Sequence, residues 1–135
     1  MITWAGRLLL LLGAGHLLAG LVLTAPRHGG DWFSGGVWGE GGDIIDMTPA
    51  NSAFWLTAGS FGLPLALIGA LVMWLDRRDI APPTFLAVGL GVWSVFAAII
   101  FEPAPWPVIW IAVGLLVAGA RRQRLSLPQQ PQGFE

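Results

Sequence analysis

The chain contains no cysteine, no lysine and no tyrosine, and only 11% of its 135 residues are charged. Each absence closes a class of function. Without cysteine there is no disulfide, thiolate nucleophile, iron–sulfur cluster or thiol-based quinone chemistry. The thiol–disulfide membrane oxidoreductases and the vitamin K epoxide reductases are excluded with them. Without lysine all seven basic residues are arginines, and so few cations offer no basic surface for nucleic acid. A soluble domain of this size carries about 25% charged residues, more than twice the value here. Hydrophobic residues fill the gap, at 55% of the chain, with a mean hydropathy of +0.68 and eight tryptophans. The composition is that of an integral membrane protein of bacterial type.

A membrane-crossing helix needs roughly 20 mostly apolar residues. Four segments qualify: about 4–25 (its apolar run Leu8 to Ala25), 53–75, 84–101 and 106–120. The predicted fold is all-α, a four-helix transmembrane bundle forming one domain over 1–120, followed by a basic and polar tail over 121–135. The first segment resembles a signal peptide, since Arg7 precedes a leucine-rich run. It ends in Leu23-Thr24-Ala25-Pro26, and proline directly after a cleavage site is unfavourable, so it is expected to be retained.

Charge orients the spans. Arg7, Arg77, Arg78, Arg121, Arg122 and Arg124 fall on one side, and Arg27 on the other with Asp31, Glu40, Asp43, Asp46 and Glu102. The positive-inside rule places both termini in the cytoplasm. The setting is then the bacterial cytoplasmic membrane, crossed several times. The connection from Pro26 to Ser52 holds seven glycines and is expected to lie outside, with Asp31-Trp32-Phe33 and Val37-Trp38 as interfacial anchors. Thr48-Pro49 reads as the N-cap and first residue of the second helix.

Lipid gives helices no hydrophobic drive toward one another, so small residues mark packed faces. Gly6, Gly13 and Gly20 form a stripe on the first helix, and His16 lies on it. Gly59, Gly62, Ala66 and Gly69 share a face of the second, where Pro64 removes the partner of the Ser60 carbonyl. Ala87, Gly91, Ser94 and Ala98 align on the third, with Glu102 one turn beyond. His16, Ser94 and Glu102 are therefore expected to point inward.

His16 falls near mid-membrane, where an ionisable side chain is costly and so either functional or bonded to a freed carbonyl. Glu102 is either a solvated carboxylate at a span end or an acid–base group. Trp55 and Trp110 suit the aromatic belt, whereas Trp93 falls mid-span and lines either core or a pocket. Glu40, Asp43, Asp46 and His28 offer ligand atoms for a divalent cation, but no spacing matches a metal motif. No metal and no cofactor are expected. Diheme cytochromes b need four intramembrane histidines, small multidrug exporters a glutamate in the first span, and channels a polar lining; none is present.

Gly13-Ala14-Gly15-His16, then Ala53-Phe54-Trp55, then Trp74-Leu75-Asp76-Arg77-Arg78 and two further spans form a pattern over about residues 5–120. It resembles an uncharacterised family of short four-helix bacterial membrane proteins, a domain of unknown function. That resemblance implies the four-span fold and no activity. The architecture is also similar to the emopamil-binding-type sterol isomerases, although no motif carries their residues onto this chain.

The leading expectation is a pocket for a lipophilic small molecule or lipid, opening to the outer leaflet. His16 forms its floor and Glu102 and Asp46 its rim. Trp55, Trp93 and Trp110 are its walls, with Ser60 and Ser94 adding polarity. Acid–base chemistry by His16 and Glu102 is the catalytic form of this reading. The alternatives are an accessory subunit of a larger membrane complex and, more weakly, a small dimeric transporter. The expected partners are the lipid bilayer, such a small molecule, and a second copy or a larger complex.

Overall fold

A computed structural model describes residues 1–37, 47–100 and 105–126. The described residues form five helices and no strand: α1 (Ile2–Phe33), α2 (Pro49–Leu56), α3 (Gly62–Asp76), α4 (Thr84–Ile100) and α5 (Trp106–Ser126). The chain divides into two compact units, Met1–Leu8 with Gly69–Glu135, and Leu9–Ile68. Among the described residues α1 is the one helix long and apolar enough to cross a membrane, with a hydropathy of 2.1 over its best window. It lies near the N-terminus, where a signal sequence also lies. The helices α3 and α4 are shorter and apolar.

Three boundaries differ from the sequence reading. First, α1 does not stop near Ala25 but continues through Pro26 to Phe33, so its 32 residues extend about 48 Å. Pro26 has no N–H and leaves the Val22 carbonyl without its usual partner. A tertiary anchor offsets that loss, because the Trp32 indole N–H donates to the Ala50 carbonyl at 2.8 Å and its ring meets Phe54 edge-on. Trp32 is thus a clamp on α2 and not a free interfacial anchor. Beyond Phe33 a bond from the Gly36 N–H to the Asp31 carbonyl (2.8 Å), with Gly35 at φ 98°, closes the helix in a left-handed turn.

Second, the segment 53–75 is not one helix. It breaks over Thr57–Phe61, between α2 and α3. Thr48 caps α2 by accepting from the Asn51 N–H at 3.2 Å, and Pro49 follows it at the helix start. At the other end Thr57 adopts φ −119°, ψ −93°, outside helical space. Gly59 weakens the helix there, and Pro64 could not donate to the Ser60 carbonyl in a continuous one. Once α3 starts at Gly62, Pro64 lies in the first turn, where an N–H has no intrahelical acceptor to lose. Ser60 completes the restart, its Oγ accepting from the Gly62 N–H at 3.1 Å.

Third, α5 runs past Ala120 to Ser126. Arginine and glutamine favour helix, and cations at a C-terminus meet the negative end of the dipole. Trp38, Glu40, Asp43, Asp46 and Glu102 lie outside the described residues.

In the unit containing Leu9–Ile68, the glycine stripe of α1 brings backbones together. A Cβ at Gly13 would run into the Gly62 carbonyl oxygen and lie 2.5 Å from the Ala66 nitrogen, and one at Gly20 would lie 2.6 Å from Thr57 Cγ2. In the other unit, a Cβ at Gly6 would lie 2.6 Å from Met73 Cγ and 2.8 Å from the Gly69 carbonyl oxygen. There the Thr3 hydroxyl donates to the Asp76 carboxylate. Also in that unit α4 packs on α5 around Ala87, Leu90, Ile109, Ala112 and Leu116, all buried. Gly119 lies against Ile2, whose Cγ1 would be 2.5 Å from a Cβ at that glycine.

Candidate functional site

The break between α2 and α3 is what gives His16 its surroundings. In an unbroken helix the Leu56 carbonyl would accept from the Ser60 N–H. Here that N–H bonds instead to the Thr57 carbonyl at 3.1 Å. His16 takes the released oxygen, with Nε2 3.2 Å from Leu56 O. A carbonyl only accepts, so Nε2 carries the hydrogen. In the neutral ring Nδ1 is then a bare acceptor, and among the described residues nothing donates to it. The half-buried imidazole lies against Phe61, ring centroids 4.4 Å apart. A Cβ at Gly62 would come within 3.1 Å of His16 Cδ2, so that glycine leaves room for the ring.

Of the other expected residues in this unit, Ser60 is engaged as the cap of α3. Trp55 is more than half exposed and lies across Gly59, a Cβ there falling 2.5 Å from Trp55 Cε3. Its ring also meets Phe54 edge-on at 5.7 Å. Asn51 is buried, and its Oδ1 has no hydrogen-bond partner among the described residues.

Trp93, Ser94 and Trp110 belong to the second unit. Ser94 is fully buried; its hydroxyl donates to the Gly91 carbonyl (2.9 Å) and accepts from the Trp110 indole N–H (3.1 Å). That relay spans α4 and α5 and satisfies both groups. Trp93, 38% exposed, meets Trp106 edge-on at 5.8 Å, and Trp106 itself is buried. Trp106 therefore packs as core at the start of α5.

Sequence reasoning missed Leu56 and Phe61 beside His16. The signal was present in Thr57-Ala58-Gly59-Ser60-Phe61-Gly62-Leu63-Pro64, whose glycine and proline spacing marks a helix interruption. The proposed acidic partners Glu102 and Asp46 lie outside the described residues, as do Glu40 and Asp43, the expected companions of His28. Among the described residues no three His, Cys, Asp or Glu side chains group to hold a metal.

No curated protein and no solved structure shows significant similarity to the chain. A family model spans nearly all of it, in keeping with the resemblance read from the Gly-Ala-Gly-His, Ala-Phe-Trp and Trp-Leu-Asp-Arg-Arg segments: over residues 1–124 the chain belongs to the family of unknown function DUF6463.

Proposed function

We propose that the protein is a four-pass protein of the bacterial cytoplasmic membrane. The passages are α1, the interrupted pair α2–α3, α4 and α5, bundled with both termini in the cytoplasm. Leu11, Leu18, Val22, Leu23, Phe96 and Ile99 are each more than half exposed, a surface suited to lipid and not to water. Two tryptophans lie beneath arginine at span ends on the arginine-rich side: Arg7 over Trp4 (4.8 Å) and Arg78 over Trp74 (4.5 Å). Paired aromatic and cationic anchors of this kind suit a membrane interface.

Within that frame His16 is the polar anchor of a site for a lipophilic small molecule. The observation that carries this reading is the bond from His16 Nε2 to the Leu56 carbonyl at an interrupted helix. Irregular backbone at membrane depth is tolerated where protein or a cavity satisfies it, and broken helices are where membrane proteins build binding sites. The imidazole fixes one edge to the protein and keeps Nδ1 for a ligand hydroxyl or amine, between the apolar faces of Phe61 and lipid-facing side chains. Any proton exchanged with a ligand would pass through Nδ1, since Nε2 is engaged.

Native mass spectrometry in mild detergent tests the reading. A small hydrophobic mass retained by the wild type and lost from His16→Ala is the expected result. His16→Gln separates binding from helix fastening, because a glutamine amide can still donate to Leu56 while lacking the imidazole. Retention of the same mass by both variants, or of a protein partner with no small molecule, would make His16 a fastening residue and the protein a subunit.

A further inference from the structure

The C-terminal part of α5 and the start of α4 enclose a second feature, in the unit containing Gly69–Glu135. A cleft of about 260 Å³ lies between Pro82, Pro83 and Thr84 on one side and Arg121 and Arg124 on the other. Every charged side chain lining it is an arginine. Arg124 Nη2 donates to the Thr84 hydroxyl at 2.9 Å, which holds one guanidinium across the mouth of the cleft. No carboxylate among the described residues pairs with either arginine. The α4 N-terminus adds its own positive potential, its first amides lacking intrahelical acceptors.

Ala87 and Val117 line this cleft and also a second, larger one of about 460 Å³. That groove is walled by Gly91, Val92, Val95, Phe96 and Val113, with almost no polar surface. Gly91 keeps it open, the nearest atom to a Cβ there being Val113 Cγ1 at 3.6 Å. A cationic head compartment thus continues directly into an apolar trough running along α4 and α5. Arg121 and Arg124 are both exposed at the cleft. Basic pockets between helices at a membrane surface select anionic headgroups, and a trough of valine and phenylalanine selects hydrocarbon.

We propose that these joined clefts bind one anionic glycerophospholipid, its phosphate on Arg121 and Arg124 and an acyl chain along the Gly91–Val113 groove. With the orientation given above, the lipid belongs to the cytoplasmic leaflet. This site is separate from that of His16 and involves none of its residues. Each basic residue near a membrane surface contributes about fivefold to anionic lipid affinity, so losing two weakens it by about thirtyfold.

The test uses the purified full-length protein in detergent, titrated with phosphatidylglycerol or phosphatidylcholine of matched chains and read by native mass spectrometry. The expected result is preferential retention of phosphatidylglycerol, weakened by about thirtyfold in Arg121→Gln/Arg124→Gln. Gly91→Leu, whose Cβ fits and whose side chain fills the trough, should weaken retention with both arginines intact. Equal retention of the two lipids by the wild type overturns the proposal. So does phosphatidylglycerol binding unchanged in both variants. If inorganic phosphate competes fully and Gly91→Leu has no effect, the cleft is a phosphate site and the lipid assignment falls. His16→Ala should leave phosphatidylglycerol retention unchanged, so the two sites stand or fall separately.

Discussion

His16 on α1 donates through Nε2 to the backbone carbonyl of Leu56, 40 positions away and 3.2 Å distant. The bond exists because α2 ends where it does. The bond is exposed on the protein surface, so its worth rests on the proposed lipid surroundings. There the Leu56 oxygen would be left without a partner, and removing the donor costs about 1–3 kcal/mol. His16→Ala is therefore expected to lower the unfolding midpoint in detergent, and His16→Gln to recover most of the loss. Equal destabilisation by the two would mean that ring packing on Phe61, and not the hydrogen bond, carries the stability.

Gly13 and Gly15 are two positions apart on α1 and should respond oppositely to the same substitution. A Cβ at Gly13 collides with the backbone at Gly62 and Ala66, and neither can move without shifting α3. Gly13→Ala should cost about 1–3 kcal/mol or more, the range for overpacking a fitted contact. At Gly15 nothing lies within 4 Å, so Gly15→Ala should be neutral or stabilise by up to about 1 kcal/mol through helix propensity. Chemical denaturation of the two variants side by side decides it.

Two helices end in the same left-handed closure, once with glycine and once with aspartate. After α3, the Ile80 N–H bonds to the Leu75 carbonyl (3.0 Å) and the Asp79 N–H to the Asp76 carbonyl (3.1 Å), with Asp79 at φ 57°. After α1, Gly35 holds the equivalent place. A side chain in that region costs about 1–2 kcal/mol that glycine does not. Asp79→Gly is expected to stabilise the protein by about 1 kcal/mol, read as a higher thermal midpoint; a fall would mean that the Asp79 carboxylate makes a compensating contact.

The helical class and the packed faces were legible because they depend on composition and on spacing. Gly6, Gly13 and Gly20 all meet backbone or side chains where a larger residue would not fit, and Ser94 is fully buried as its stripe implied. Thr48-Pro49 also opens a helix as read. What local pattern could not show was tertiary override. Trp32 holds α1 helical beyond Pro26 by reaching Ala50, a partner 18 positions away that no window on the sequence contains. The freed carbonyl was expected at Ser60 from Pro64 alone; the break spreads over Thr57–Phe61 and exposes Leu56 instead. Arg121 and Arg124 read as positive-inside charge, and only the packing of α4 on α5 turns them toward a shared cleft.

The absence of cysteine makes the proposed threading directly testable, since any thiol introduced is the only one in the chain. Ser34 follows α1 and is exposed, and Arg122 is exposed on α5. If both termini are cytoplasmic, a membrane-impermeant maleimide should label Ser34→Cys in intact spheroplasts and Arg122→Cys only after permeabilisation. Six of the seven arginines support that sidedness, and replacing one of them barely changes the bias, so Arg122→Cys is a safe reporter. The reverse pattern would turn the bundle over and place the Arg121–Arg124 cleft in the outer leaflet. Labelling of both positions in intact spheroplasts would mean an odd number of passages between Ser34 and Arg122 does not occur, and would remove one of α2–α3, α4 or α5 from the membrane.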